Sequence, residues 1–354
     1  MIHKLMVAAA VLALTAALPG ASAAEGQVIG MSAVSRQVAN LDRSIAYYEA
    51  MGMKVSAPPA GWTADPLYQQ LFRAPGAEWR TAWMTADSGL YMAPFTLVLR
   101  EFRGIDRQDW SGLKTWSPGM SHIGYFSLTP RADWEALRAK GLLRPKSAGG
   151  DLYIQPNLEF GLMVDPDGMG VEVRSLPRQG GVARSAGTVT GRPGFSHSAL
   201  VVRDIERTKR FYEVLGLTFP AGYDRWTAGE FSEKTWSLPK GTEVQVVYAY
   251  GPAATSAAPA PGAELRSAAA QMPIEFVAFK SLGLDEAGGA GSRFYDIAVH
   301  AVVYEVRGIE DVRRALLAAG GTAWTDGIVT LPRGDRATIV RDPDGGFLQL
   351  LQRP

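Results

Sequence analysis

Apolar and polar positions along this chain follow a repeating order. A short apolar run is followed by a polar residue able to cap a helix, then by apolar residues three and four apart, a glycine and a new apolar run. The order is clearest in "VANLDRSIAYYEAMGMKV" (Val38 to Val55) and "VVRDIERTKRFYEVLGLTF" (Val201 to Phe219). Each predicts a strand end, an amphipathic helix carrying a pair of aromatic residues, and a second strand. Asn40 and Asp204 stand where a side-chain oxygen accepts from the first helical turn, and Gly52 and Gly216 stand where the helix must stop. Weaker copies begin at His122 ("HIGYFSLTPRADWEALRAKGL") and at Ala301 ("AVVYEVRGIEDVRRALLAAGG"). Short closing strands follow each helix. Two of these closures share a turn, "VDPDGMGVEV" (Val164 to Val173) and "RDPDGGFLQL" (Arg341 to Leu350). The other two are "FTLVLREF" (Phe95 to Phe102) and "EVQVVYAY" (Glu243 to Tyr250).

Four such copies predict an α+β chain of four βαβββ modules: A (28–104), B (120–176), C (194–251) and D (295–353). Two modules per domain give domain 1 at 28–176 and domain 2 at 194–353. The Gly/Ser/Arg-rich stretch 177–193 reads as a linker, and the Ala/Pro-rich stretch 252–275 as an exposed, mobile insert. The DPDG turns need no catalytic duty. Proline presets a turn dihedral, aspartate bonds nearby backbone and glycine accepts a positive φ.

Composition narrows the function. A formal net charge of +1 over 354 residues gives no electrostatic footprint for nucleic acid or an anionic membrane. The chain has no cysteine, which removes disulfides, thiol nucleophiles and thiolate metal sites together. At the start, Lys4, the apolar run Leu5 to Leu18 and Ala21-Ser22-Ala23 read as a signal peptide (1–23) cut after Ala23. A periplasmic or secreted protein, free of the membrane after cleavage, is the expectation.

The helices "LDRSIAYYEAMG" and "IERTKRFYEVLG", the DPDG turns and the strand-opening His122 and His197 resemble the vicinal oxygen chelate superfamily. That superfamily includes glyoxalase I, extradiol dioxygenases and the fosfomycin- and bleomycin-resistance proteins. The resemblance spans nearly the whole chain beyond the signal segment, in a tandem form. It implies two glyoxalase-like domains with half-open mixed-sheet barrels, in which two facing modules enclose one divalent metal. Each module offers a ligand position on its first strand and another on its last. Counting from the helix and turn landmarks gives His122 and Glu172 in B and His197 and Gln245 in C. The same count gives Ala33 and Val98 in A, and Ala301 and Gln349 in D. The polar set falls in B and C. The superfamily's swapped arrangement, B facing C and A facing D, would then give one complete site and one vestigial site, with Glu172 in the first and Gln349 in the second.

Two imidazoles, a carboxylate and an amide suit Zn, Ni, Fe or Mn. Glu172 is the expected general base as well as a ligand. Strand alternation places Gly124 and Phe126 on the face of His122, Arg174 on that of Glu172, and Val201 and Arg203 on that of His197. Phe126, Arg174 and Arg203 are therefore the candidate substrate contacts. His300, one residue before the counted position in D, is expected on the opposite sheet face. The resemblance implies a glyoxalase I-like lyase or isomerase working on a small oxygen-rich substrate through a metal-bound enediolate. The alternatives are an Fe(II) extradiol dioxygenase using His122, His197 and Glu172, and a metal-free small-ligand-binding protein. With four modules in one chain, a monomer or a homodimer is expected.

Overall fold

The computed structural model describes residues 26–354 except 58, 87–94, 120, 128, 157, 176–193, 220–224, 252–273, 281 and 283–290. The expected signal peptide, the linker and all but the last two residues of the insert 252–275 lie outside the described residues. Among the described residues, no helix is long and apolar enough to cross a membrane.

Module A contributes β1 (Gln27–Val38), α1 (Leu41–Ala50), β2 (Lys54–Ala57), α2 (Pro66–Phe72), β3 (Glu78–Ala86) and β4 (Phe95–Arg103). Module B follows with β5 (Ser121–Ser127), α3 (Pro130–Ala139), β6 (Tyr153–Gln155), β7 (Leu158–Val164) and β8 (Gly170–Ser175). Module C gives β9 (Gly194–Val201), α4 (Ile205–Glu213), α5 (Glu230–Thr235), β10 (Val244–Ala249) and β11 (Ile274–Phe279). Module D gives β12 (His300–Arg307), α6 (Ile309–Ala318), β13 (Thr322–Ala323), β14 (Val329–Thr330), β15 (Arg336–Arg341) and β16 (Phe347–Gln352).

The helix ends obey the local chemistry. Asn40 and Asp204 each accept from the backbone N–H three residues on, at 2.9 Å, and Gly52 and Gly216 follow the helices at φ of 94° and 73°. Module C is longer than its sequence suggests. Its closing strand is β11, beyond the Ala/Pro-rich stretch, and β10 is the strand before it.

The strands form two sheets, and the sheets join modules across the sequence. One runs β13-β15-β16-β12-β1-β4-β3-β2, with β14 on β15, and so unites A with D. The other runs β10-β11-β9-β5-β8-β7-β6 and unites B with C. First strands pair antiparallel at the centre of each, β1 with β12 and β5 with β9. Closing strands pair parallel with their own first strands.

The DPDG turns lock the two sheets together. Asp165 Oδ1 accepts from Asp167 and Met169 N–H at 2.9 and 3.0 Å, which shapes the turn. Its Oδ2 accepts from the Tyr48 hydroxyl at 2.6 Å and from Arg36 at 3.0 Å, all fully buried. Asp167 accepts from Ser44, Arg43 and the Ala39 N–H at the start of α1. The second turn repeats the pattern on α4. Asp342 accepts from the Tyr212 hydroxyl at 2.9 Å, and Asp344 accepts from Arg207 and Thr208. Both turns are scaffolding that fixes the strands beginning just beyond them, β8 and β16.

Candidate metal centre

Register explains how the candidate ligands meet. Gly124, two residues past His122, is the partner of Glu172, and Ala199, two past His197, is the partner of Glu275. Across the centre His122 opposes Ala199 and Gly124 opposes His197. The two halves are therefore related by a pseudo-twofold, and alternation turns all four side chains to one face.

His122, Glu172, His197 and Glu275 are all buried, and one donor atom from each lies within 4.8 Å of the others. His122 Nε2 is 3.2 Å from His197 Nε2, 3.4 Å from Glu172 Oε2 and 3.5 Å from Glu275 Oε1. His197 Nε2 is 3.8 Å from Glu172 and 3.5 Å from Glu275. Ligands about 2.1 Å from a common ion stand about 3.0–4.2 Å apart, from neighbouring to opposite positions, so the separations suit one metal. Two carboxylates would neutralise a divalent ion, whereas the single carboxylate expected from sequence leaves one positive charge.

The electrostatics mark the same point. Burial opposes a charge on His122, but Glu172 and Glu275 outweigh it and raise its pKa to about 9. Burial, with His122 beside it, holds His197 down to about 4. Glu275 is lowered to about 2 against its burial, by His197, His122 and the Tyr248 hydroxyl. Glu172 is also lowered, against its burial, by His197, His122 and Arg174, and its Oε1 is buried without a hydrogen bond. Two buried carboxylates around two imidazoles call for a cation between them, which is the donor set a divalent metal takes.

Around the four stand Arg174, with Nε 3.5 Å from Glu172 Oε1, and Tyr248, whose ring lies 6.0 Å from that of His197. Trp236 lies 6.2 Å from His122 and packs on Phe279. Phe160 and Leu162, paired with Arg174 and Glu172, extend an apolar wall.

Two of the sequence-derived contacts belong elsewhere. Gln245 opposes Ala278 on β11, while Glu275 opposes Tyr248, so Gln245 lies on the reverse face of the sheet and Glu275 takes the fourth position. Arg203 lies past the end of β9 and pairs with Asp344 of the second turn at 3.6 Å. Phe126 stands on β5 in register with Arg174. His300 turns to the opposite face of β12 from Ala301 and meets the Ser198 hydroxyl at 3.0 Å. Glu275 has no local signature in module C because the Ala/Pro-rich stretch separates β11 from its module, and Tyr248 gains its role only by pairing with it. The signal was a lone carboxylate inside the apolar run "MPIEFVAF".

In the other sheet the same register holds Ser35 against Val98 and Val303 against Gln349. Ala33, Val98, Ala301 and Gln349 thus occupy the four equivalent positions, and Ala33, Val98 and Val303 pack as a small apolar cluster. Among the described residues, no metal-binding set other than the one in the B–C sheet is present.

Residues 194–350 match the Glyoxalase/Bleomycin resistance protein/Dioxygenase superfamily. A glutamate-to-glutamine variant of glyoxalase I from Zea mays superposes with a TM-score of 0.55 at 16% identity, covering 92% of this chain and 94% of that one. The Zea mays glyoxalase I structure itself gives 0.51 at 17% identity, with 92% of each chain covered. A candidate dioxygenase from Bacillus subtilis gives 0.52 at 12% identity, covering 93% of this chain and 86% of that one. No curated protein matches the chain in sequence. At these identities the structural likeness speaks for the fold. Residues 194–350 thus carry the sequence pattern of the glyoxalase, bleomycin resistance and dioxygenase superfamily, and the fold of its glyoxalase I structures extends over more than nine-tenths of the chain.

Proposed function

We propose that this chain is an exported, metal-dependent enzyme of the glyoxalase I type, with a single active site on the B–C sheet. It would act as a lyase or isomerase on a small oxygen-rich molecule by moving a proton between neighbouring carbons. The observation that carries this reading is the buried pair of carboxylates, Glu172 and Glu275, closing on His122 and His197. A divalent ion held by these four would polarise an oxygen of the substrate. Glu172 is the better base of the two carboxylates. Its Oε1 has no hydrogen bond, while Glu275 is held by Tyr248. Arg174, charged and largely buried beside Glu172, would orient an anionic group, and Trp236 would exclude water on the far side. The second carboxylate favours this reading over an Fe(II) dioxygenase, whose facial triad takes two His and one carboxylate.

The test is metal content and proton exchange. Protein purified without chelator should carry about one divalent ion per chain. His122→Ala and Glu275→Gln should lose it, while Gln245→Ala should keep it. The loaded protein should wash deuterium from D2O into the carbon next to the carbonyl of an α-hydroxyketone such as dihydroxyacetone, and Glu172→Gln should slow this at least about 100-fold. A metal-loaded protein that exchanges no proton with any α-hydroxycarbonyl would sink the isomerase reading. A protein that takes up no metal would sink the whole.

A further inference from the structure

The A–D sheet has lost its metal ligands, yet its cup is not simply apolar. Ser35 and Gln37 follow Ala33 on the inner face of β1, and Arg100 follows Val98 on β4. Arg100 is only 7% exposed. Its Nη1 donates to Ser35 Oγ at 3.2 Å, and its guanidinium lies 4.7 Å from the centre of the Phe72 ring. Among the described residues no carboxylate pairs with it, and its Nε is buried without a hydrogen bond. Gln37 Oε1 and Gln349 Oε1 are buried and unpartnered as well. Gln37 also donates to Ser35 Oγ, at 3.1 Å, so that oxygen already accepts twice and its own proton remains to be donated.

The other sheet shows what such an arginine does when it has its anion. Arg100 stands two residues beyond Val98 as Arg174 stands two beyond Glu172, and Arg174 lies beside that carboxylate. With valine in the glutamate's place, a buried cation keeps its position without its counter-charge, which is costly unless an anion comes from outside. One residue on this face reaches solvent. Trp83, opposite Val98 on β3, is 47% exposed.

We propose that the A–D cup is a second, metal-free binding site for a small hydroxycarboxylate. The carboxylate would sit on Arg100 and Ser35, the hydroxyl would donate to Gln349, and Trp83 would form the wall of the entrance. A carboxylate accepts what Arg100 and Ser35 have to donate, and a hydroxyl supplies what the amide oxygen lacks. This site is independent of the activity proposed for the metal centre.

The experiment is calorimetric titration of the full chain, stripped of metal by chelator, with mandelate, an aromatic hydroxycarboxylate. One mandelate should bind per chain with a Kd of about 0.1–1 mM. 1-Phenyl-1,2-ethanediol, which lacks the carboxylate, should not bind. Arg100→Gln should weaken mandelate about tenfold or more, while His122→Ala should leave it unchanged. Since Arg100 is buried, Trp83→Ala is the second variant. It hollows no core and should also weaken binding. No binding of mandelate would overturn the proposal. So would binding that Trp83→Ala and Arg100→Gln leave intact, or binding that His122→Ala abolishes.

Discussion

Two aspartates at equivalent places live in opposite circumstances. Asp165 is buried against Arg36, whereas the residue equivalent to Arg36 in module C is Leu200, so among the described residues Asp342 has hydrogen bonds and no ion pair. Burial, with Asp344 nearby, pushes Asp342 up to about 6. A folded pKa above the unfolded one makes the stabilising form the protonated one. The contribution is full below about pH 4 and is lost as pH rises through about 6, an effect of about 2–3 kcal/mol. Asp342→Asn keeps an acceptor for the Asp344 and Gly346 N–H groups and should be neutral or stabilising at pH 8. Asp165→Asn strands a buried guanidinium and should cost about 3–5 kcal/mol. Urea unfolding at pH 5 and pH 8 reads both, and equal effects of the two substitutions would refute the contrast. At this scale the sequence was legible where chemistry is local. His122, Glu172 and His197 could be found by counting from helix and turn, and the caps Asn40 and Asp204 from their residue types. Glu275 could not, because its place depends on a strand paired across a long insertion, and neither Ser35 nor Arg100 has a local signature.

The elements are held apart and together by side chains of unequal size. On β7, Gly161 lies beneath the Trp134 ring of α3, where an added Cβ would meet ring atoms at 2.6 Å. The indole is fully buried, and the backbone flanking Leu162 is where β7 supports Glu172 through β8. Gly161→Val should destabilise by about 2–3 kcal/mol through overpacking and loosen metal retention, with no polar group touched. Thermal melting of the apo and metal-loaded forms would check this, and an unchanged melting temperature would refute it. Helix and strand identities were readable from periodicity because both packing faces are regular. The closing strand of module C was not, since "EVQVVYAY" and "MPIEFVAF" carry equal strand character and only the register with β9 separates them.

At the scale of the whole molecule, neither half of the sequence owns a complete sheet. A chain cut at the linker would leave β1 and β5 in one piece and their partners β12 and β9 in the other, exposing central strands as edges. The pieces 1–185 and 186–354 should be insoluble or metal-free alone, and should give one metal-binding heterodimer when produced together. A soluble single piece holding stoichiometric metal would contradict this. The cross-pairing itself was foreshadowed by where the polar positions fall. The chain's order of modules, however, carries no trace of it.

The pairing is nested: β5 meets β9 inside the interval that β1 and β12 enclose. His122 and His197 are 75 residues apart, whereas Ser32 bonds Val303 across 271. Closing the outer loop therefore carries about 1 kcal/mol more entropy than closing the inner one. Time enters here as well as space. The sheet that carries the candidate metal centre has all its strands once residue 279 has been made, while β1 waits for β12. A ribosome that stops before β12 leaves the B–C sheet complete, but β1 with β4 on one side and nothing on the other.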